Sequence, residues 1–186
     1  SVKEGVEAVI AATMRYQATM KQLEFALGGV QAAKQEYEFL LDVTKRLGLD
    51  LNASADGFAK LAAATKGTAL EGQQTRVIFE GVASAAASLN LSAADTSGVM
   101  LALSQIISKG KVSMEELRGQ LGERLPGAMT IAAKSLGVTT AELEKMVESG
   151  IDSVQFMEKF GPAMVAAFGP TAQSNVNSLQ GQVNLL

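Results

Sequence analysis

Residues Ser104–Ala128 read SQIISKGKVSMEELRGQLGERLPGA, and their spacing describes a helix end, a tight turn, a short capped helix and the start of a third helix. Ile106 and Ile107 lie on the inner side of the incoming helix. Gly110 ends it, because glycine enters the left-handed region without the steric cost of a Cβ. Ser113 then accepts from the amide three residues on, and Glu116 reaches back to the Ser113 amide. Val112 closes on Leu117 as a hydrophobic staple. This puts Met114, Leu117 and Leu121 on one face and turns Glu115, Glu116 and Gln120 away from it. Gly122 is the expected stop, and Pro126 suits the first turn of the next helix. The plainer reading is a packed helix–turn–helix corner. Gly119 fits it less well: within a helix it costs about 1 kcal/mol relative to Ala, so it is either tolerated or lets another backbone come close.

The same phrase recurs along the chain. A glycine, a hydrophobic residue, a cap, and then Glu or Gln before a hydrophobic residue follow Gly137 (Val138, Thr139, Glu142, Leu143) and Gly150 (Ile151, Asp152, Gln155, Phe156). Thr68 with Glu71 makes a further capping box, predicted to open a helix over Glu71–Asn90. Ser54–Lys66 carries Phe58, Leu61, Ala62 and Thr65 on one side, Ser92 with Asp95 opens the helix that ends at Gly110, and Pro126–Leu136 ends at Gly137. Corners this short force sharp changes of direction. They predict an orthogonal array of short helices rather than an up-down bundle, with spacings too irregular for a solenoid.

Upstream the style differs. Val6, Val9, Thr13, Tyr16, Met20, Leu23 and Leu27 fall at steps of three and four, an a/d seam of about three heptads. Its e and g positions lack paired charges, so packing within the chain is the plainer reading and pairing with another copy the sharper one. Gly28-Gly29 breaks the helix, a second seam runs Val30, Ala33, Tyr37, Leu40, Thr44, Leu47, and Gly48 ends it. Two long helices around a double glycine read as a hairpin. At the other end, no charge follows Lys159, and Phe160, Met164, Val165 and Phe168 continue an apolar face until Gly169-Pro170 breaks it. Residues 171–186 then read as a polar linker to a downstream region, or as a helix that forms only in an assembly. The expected fold is all-α: a long N-terminal helical hairpin over 1–50, then an orthogonal array of short helices forming a compact core over 51–170.

Composition narrows the chemistry. The chain is 47% hydrophobic but only 5% aromatic, so Ala, Leu, Val and Met must fill the core. A net charge of −3 with scattered Lys and Arg gives no basic stripe for nucleic acid. Without Cys or His there is no thiolate, no imidazole base and no Ser–His pair. The acidic pairs (Glu115-Glu116, Glu142 with Glu144, Glu148 with Asp152) fall at helix starts or polar faces, where they favour the positive end of the helix rather than act as an acid/base couple. No catalytic, cofactor-binding or metal-binding residue is assigned. The eight Met at helical spacing read as core before they read as an adaptable groove. Neither a signal peptide nor a transmembrane span is expected, since the apolar windows around Val82–Leu91 and Val99–Ile107 are short and separated by Asp95. The sequence reads as a segment of something longer.

One family pattern coincides with these residues. Leu103-Ser104-Gln105, Ser108-Lys109-Gly110-Lys111-Val112, Glu115-Glu116-Leu117-Arg118, Gln120-Leu121, Leu125-Pro126-Gly127-Ala128, Leu136–Leu143 and Met146-Val147 closely resemble the signature of the tape measure domain of bacteriophage and prophage tail tape measure proteins. The likeness is dense over about residues 100–150 and looser from about 30 to 170. It implies a structural role in virion assembly: several copies of a long helical chain lie in the tail tube, the chain's length sets the tube's, and the molecule leaves during DNA ejection. It further implies a tail-lumen location, with the host bacterial cytoplasm as the site of assembly. The implied partners are other copies of the chain and tail-tube, tail-tip or assembly-chaperone proteins, with no specific nucleic acid and no stable membrane insertion. Contacts are expected through Val9, Tyr16, Met20 and Leu23 and around Glu115, Gly119 and Gln120. A membrane-perturbing or peptidoglycan-degrading module acting during ejection is the alternative.

Overall fold

Left-handed glycines and short polar caps cut the chain into nine helices among the described residues, which are 1–185 of the computed structural model, with side-chain surroundings described to Leu179. Helix α1 spans Val2–Leu27 and α2 Val30–Leu47; Gly28 and Gly48 close them in left-handed conformations. Helix α3 covers Leu51–Thr65, α4 Gln73–Leu89 and α5 Ala93–Lys109. A π-helix over Glu115–Leu121 follows, then α6 (Ala128–Ser135), α7 (Thr140–Ser149) and α8 (Ser153–Leu185). No strand occurs among the described residues; Lys111 and Asp152 form one isolated antiparallel bridge.

The core forms where the apolar faces of these helices meet. Leu23 of α1, Leu40 and Val43 of α2, Phe58 and Leu61 of α3, Phe79 and Val82 of α4, and Leu103 and Ile106 of α5 are buried in a single cluster. Phe39, Phe58 and Phe79 meet at its centre with ring centroids 5.7–6.1 Å apart. Arg76 caps this group: its guanidinium carbon lies 4.9 Å from the Phe39 ring centroid, and its Nε donates to both Glu36 carboxylate oxygens at 2.8 and 3.2 Å.

Helix α8 is the closing element, and its largest interface is with α4. Met157, Phe160, Met164, Phe168 and Ala172 line its buried face. Glycines allow the approach. A Cβ at Gly81 would stand 3.3 Å from the Gly161 carbonyl oxygen, and one at Gly161 would stand 3.1 Å from Ile78 Cγ1. The predicted break at Gly169-Pro170 is not there: α8 runs through both Pro162 and Pro170, so 171–185 is helical and Leu186 lies outside the described residues. Each proline leaves one carbonyl four residues back without its helical donor. Those carbonyls belong to Glu158 and Ala166, both exposed residues. Asn175 Nδ2 also donates to the carbonyls of Ala87 and Ser88 at 3.4 and 3.2 Å, tying this part of α8 to the end of α4.

Two helix starts in the first half of the chain differ from expectation. Helix α3 begins at Leu51 rather than Ser54, because the Asp50 carboxylate accepts from the Ala53 amide at 2.7 Å. Thr68 and Glu71 do not cap α4, whose first residue is Gln73. Thr68 Oγ1 instead donates to the Thr65 carbonyl and accepts from the Leu70 amide, while the Glu71 carboxylate accepts from the Gly67 amide at 3.2 Å. These bonds hold successive turns that bury Leu70 completely, and the chain can enter α4 only after Gly72 at φ 84°.

Candidate interaction surfaces

The corner after α5 joins three elements. The Gly110 carbonyl accepts from the Ser153 amide at 2.9 Å, and the Val112 amide donates to the Ile151 carbonyl at 3.0 Å, so the end of α5 is clipped to the start of α8. Gly110 caps α5 at φ 80°, and Val112 and Leu117 are both buried in the core. Ser113 Oγ accepts from the Glu116 amide at 3.3 Å.

Glu116 itself departs from expectation. Its side chain does not reach back to the Ser113 amide or face solvent; the residue is 3% exposed and one carboxylate oxygen pairs with Lys109 Nζ. The other oxygen is buried without a protein partner. The Glu116 carboxylate, by hydrogen bond and charge, raises the Lys109 pKa above its ordinary value. The Lys109 ammonium at the end of α5 holds the carboxylate inward, and the element that carries it is a π-helix, whose bonds run to the fifth residue, as from the Gly122 amide to the Leu117 carbonyl at 2.9 Å.

Around this corner Glu115 and Gln120 are exposed. Gly119 is half-buried, yet nothing lies within 4 Å of where its Cβ would stand, so no backbone of this chain uses the space. Arg118 pairs with Glu144, linking the π-helix to α7. Gly122 follows the π-helix with φ −62°; its lack of a side chain matters because a Cβ would stand 2.3 Å from the Arg118 carbonyl oxygen. Pro126 is not in the first turn of α6. It precedes Gly127 (φ 83°, ψ 3°) in a type II turn closed by the Ala128 amide on the Leu125 carbonyl at 3.1 Å. The remaining caps are local: Gly137 at φ 70°, Thr139 accepting from the Glu142 amide at 3.1 Å, Gly150 at φ 99° and Asp152 accepting from the Gln155 amide at 2.9 Å.

The α1 seam divides in two. Met20 and Leu23 are buried, and Thr19 and Gln22 reach Asn52 and Asp56 of α3. Tyr16 meets Tyr37 of α2 edge-on at 5.2 Å. Upstream of it the apolar stripe is open: Val2, Val6, Val9, Ile10 and Met14 are each more than half exposed. Residues 2–15 thus run free as a rod of about 21 Å at 1.5 Å per residue. Met20 and Leu23, read as contact residues, instead serve the chain's own core, while Val9 and Tyr16 remain accessible.

Among the described residues no group of three acidic, Cys or His side chains is placed to hold a metal ion, and no helix is long and apolar enough to cross a membrane. The arrangement offers contact faces. Residues 7–186 match the family described as tape measure protein. The chain belongs to the tape measure protein family. A probable tape measure protein of Salmonella phage Felix O1 (isolate Felix O1-VT1) is 33% identical over 117 residues, covering 63% of this chain and 16% of that protein. This tape measure segment therefore aligns with only about a sixth of that curated relative's length. No solved structure matches it.

Sequence reasoning missed the Lys109–Glu116 pair and the exposed Phe25. The neighbours on one α-helix are three and four residues apart, whereas Lys109 and Glu116 are seven apart on two successive helices with a turn between. Phe25 carried a weak signal: it falls off the α1 seam, one residue after Glu24.

Proposed function

We propose that this segment is a folded node along a phage or prophage tail tape measure protein, acting in tail assembly while the length of the whole chain sets the length of the tail. The match over residues 7–186 carries the reading. The fold refines it. An extended α-helix advances about 1.5 Å per residue, whereas this chain turns back on itself at glycine corners and packs the helices between them around one buried cluster. Its part is docking rather than measuring. Other copies of the chain, the tail tube, the tail tip and an assembly chaperone are its partners, and the tail lumen is its final place.

A core substitution at unchanged chain length tests this. Leu103→Asp, at a fully buried position, introduced into the full-length protein of the parent phage, removes the node without removing residues. Electron microscopy of lysates is expected to show several-fold fewer tails, those that form having normal length. Normal numbers of normal tails would overturn the reading, and shortened tails would show that this segment measures.

A further inference from the structure

The directions of the helices decide how this body meets a load. Thr19 and Gln22 of α1 donate to Asn52 and Asp56 of α3 at 3.3 and 2.8 Å. These two helices therefore run the same way, and residues 2–15 project past the first turn of α3. Helix α4 returns antiparallel to α3: Thr65 meets Thr75 at 2.7 Å, and the Phe58 and Phe79 ring centroids lie 5.7 Å apart. Helix α8 follows α4 in the same direction, with Gly161 beside Ile78, Met164 beside Gly81, and Asn175 bonded to Ala87 and Ser88. It passes the end of α4 at Leu89 and runs on to Leu185. Both end helices thus leave the body at one pole, where α3 starts and α4 ends.

Their hold on the body is unequal. Helix α1 buries only Thr19, Met20 and Leu23, against α2 and α3. Helix α8 buries Phe156, Met157, Phe160, Met164, Phe168 and Ala172. Elements held by so few apolar contacts open before the rest. A load between the two end helices draws α1 off from its near end, so Tyr16, Met20 and Leu23 let go in turn and each carries the load alone. The load then enters α2 at Val30, at the opposite pole, where Lys66 past the end of α3 lies by Gly28. Helix α2 runs with α4, as the Glu36–Arg76 and Phe39–Phe79 contacts show, and so with α8. Drawn at opposite ends, α2 and α8 slide against their neighbours, and all their contacts share the load.

We propose that α1 is a strap released by tension. A pull between the two end helices strips it first and uncovers the α2–α3 groove that Met20 and Leu23 fill, while the body from α2 to α8 holds to a higher load. The double glycine at 28–29, with Gly28 at φ 81°, is the hinge. The strap works whichever partner draws on the chain.

The test is force spectroscopy in optical tweezers on the 186-residue chain, which has no cysteine of its own, with handles on Ser1→Cys and Leu179→Cys. Two openings are expected, that of α1 at the lower load. Forced opening is read as a rate. Leu23→Ala should speed the first opening at least tenfold at a fixed load and leave the second within about twofold; Met164→Ala should do the reverse. Moving the first handle to Phe25→Cys, an exposed position at the far end of α1, draws α1 along the body instead of off it, and the low-load opening should vanish. Circular dichroism checks each variant, and Met20→Ala or Phe168→Ala replaces one that does not fold. A single opening from the Ser1→Cys handle would overturn the strap. So would a first opening that responds to Met164→Ala rather than Leu23→Ala, or traces unchanged by moving the handle.

Discussion

Gly81 of α4 faces Met164 of α8 so closely that a Cβ on the glycine would stand 2.8 Å from the methionine Cβ. The methionine cannot yield by moving its flexible end, because the atom in the way is next to its backbone. Gly81→Ala gains about 1 kcal/mol of helix propensity but forces the two helices apart. We expect a net loss of roughly 1–3 kcal/mol, typical of overpacking, measured as a lower urea midpoint. An unchanged midpoint would mean that α4 and α8 are not so close in solution.

The division of the α1 seam makes two truncations unequal. Leu23→Ala removes a fully buried side chain and should cost roughly 2–5 kcal/mol. Val9→Ala trims a residue 66% exposed and should stay within about 0.5 kcal/mol in the isolated chain. Comparable losses would show that the free rod folds back onto the body.

Glu116 and Lys109 should respond asymmetrically. Lys109→Met leaves a buried carboxylate without its partner, whereas Glu116→Gln removes the charge and keeps the shape. Lys109→Met is therefore expected to lower the melting temperature more than Glu116→Gln does. The double variant should recover part of the loss, which a double-mutant cycle measures.

Gly119 has a right-handed backbone and open space over its Cα. Gly119→Ala should therefore stabilise the isolated chain by about 0.5–1 kcal/mol. A phage carrying it should assemble tails normally if the glycine is merely tolerated. A loss of tails with a more stable fragment would instead place a partner's backbone against the π-helix.

Asp56 supplies the pH dependence. The Gln22 amide, donating at 2.8 Å, and secondarily Lys60, at 3.1 Å, lower its pKa below the ordinary 3.8, against some desolvation by burial. A folded-state pKa below the unfolded one stabilises the fold above about pH 3.8 and loses that contribution as pH falls through the folded value. Because Asp56 is half exposed, the effect should be small. Carboxylate NMR titration of Gln22→Ala should move the Asp56 midpoint upward; no movement would discount the contact.

The features legible in the sequence are those decided within a few residues. Gly110, Gly137, Thr139, Gly150 and Asp152 act on amides or carbonyls close by, so residue type and spacing suffice. Glu116 faces inward although α-helical spacing assigns it outward, because its partner Lys109 belongs to the preceding helix and local spacing does not show that pair. Thr68 and Glu71 have a cap's spacing, but burying Leu70 outweighed it. The helix through Pro170 depends on Ala172 being buried and on Asn175 reaching Ala87, a contact across 88 residues that local pattern does not carry.

The dependence of α4 on α8 also sets a schedule for biosynthesis. A ribosome delivers α4 well before α8, so Ile78 and Val82 wait uncovered until Phe160 and Met164 have left the exit tunnel. Polypeptides truncated within α8 would expose that oily strip and clump, whereas a chain that has emerged through Ala172 shields it.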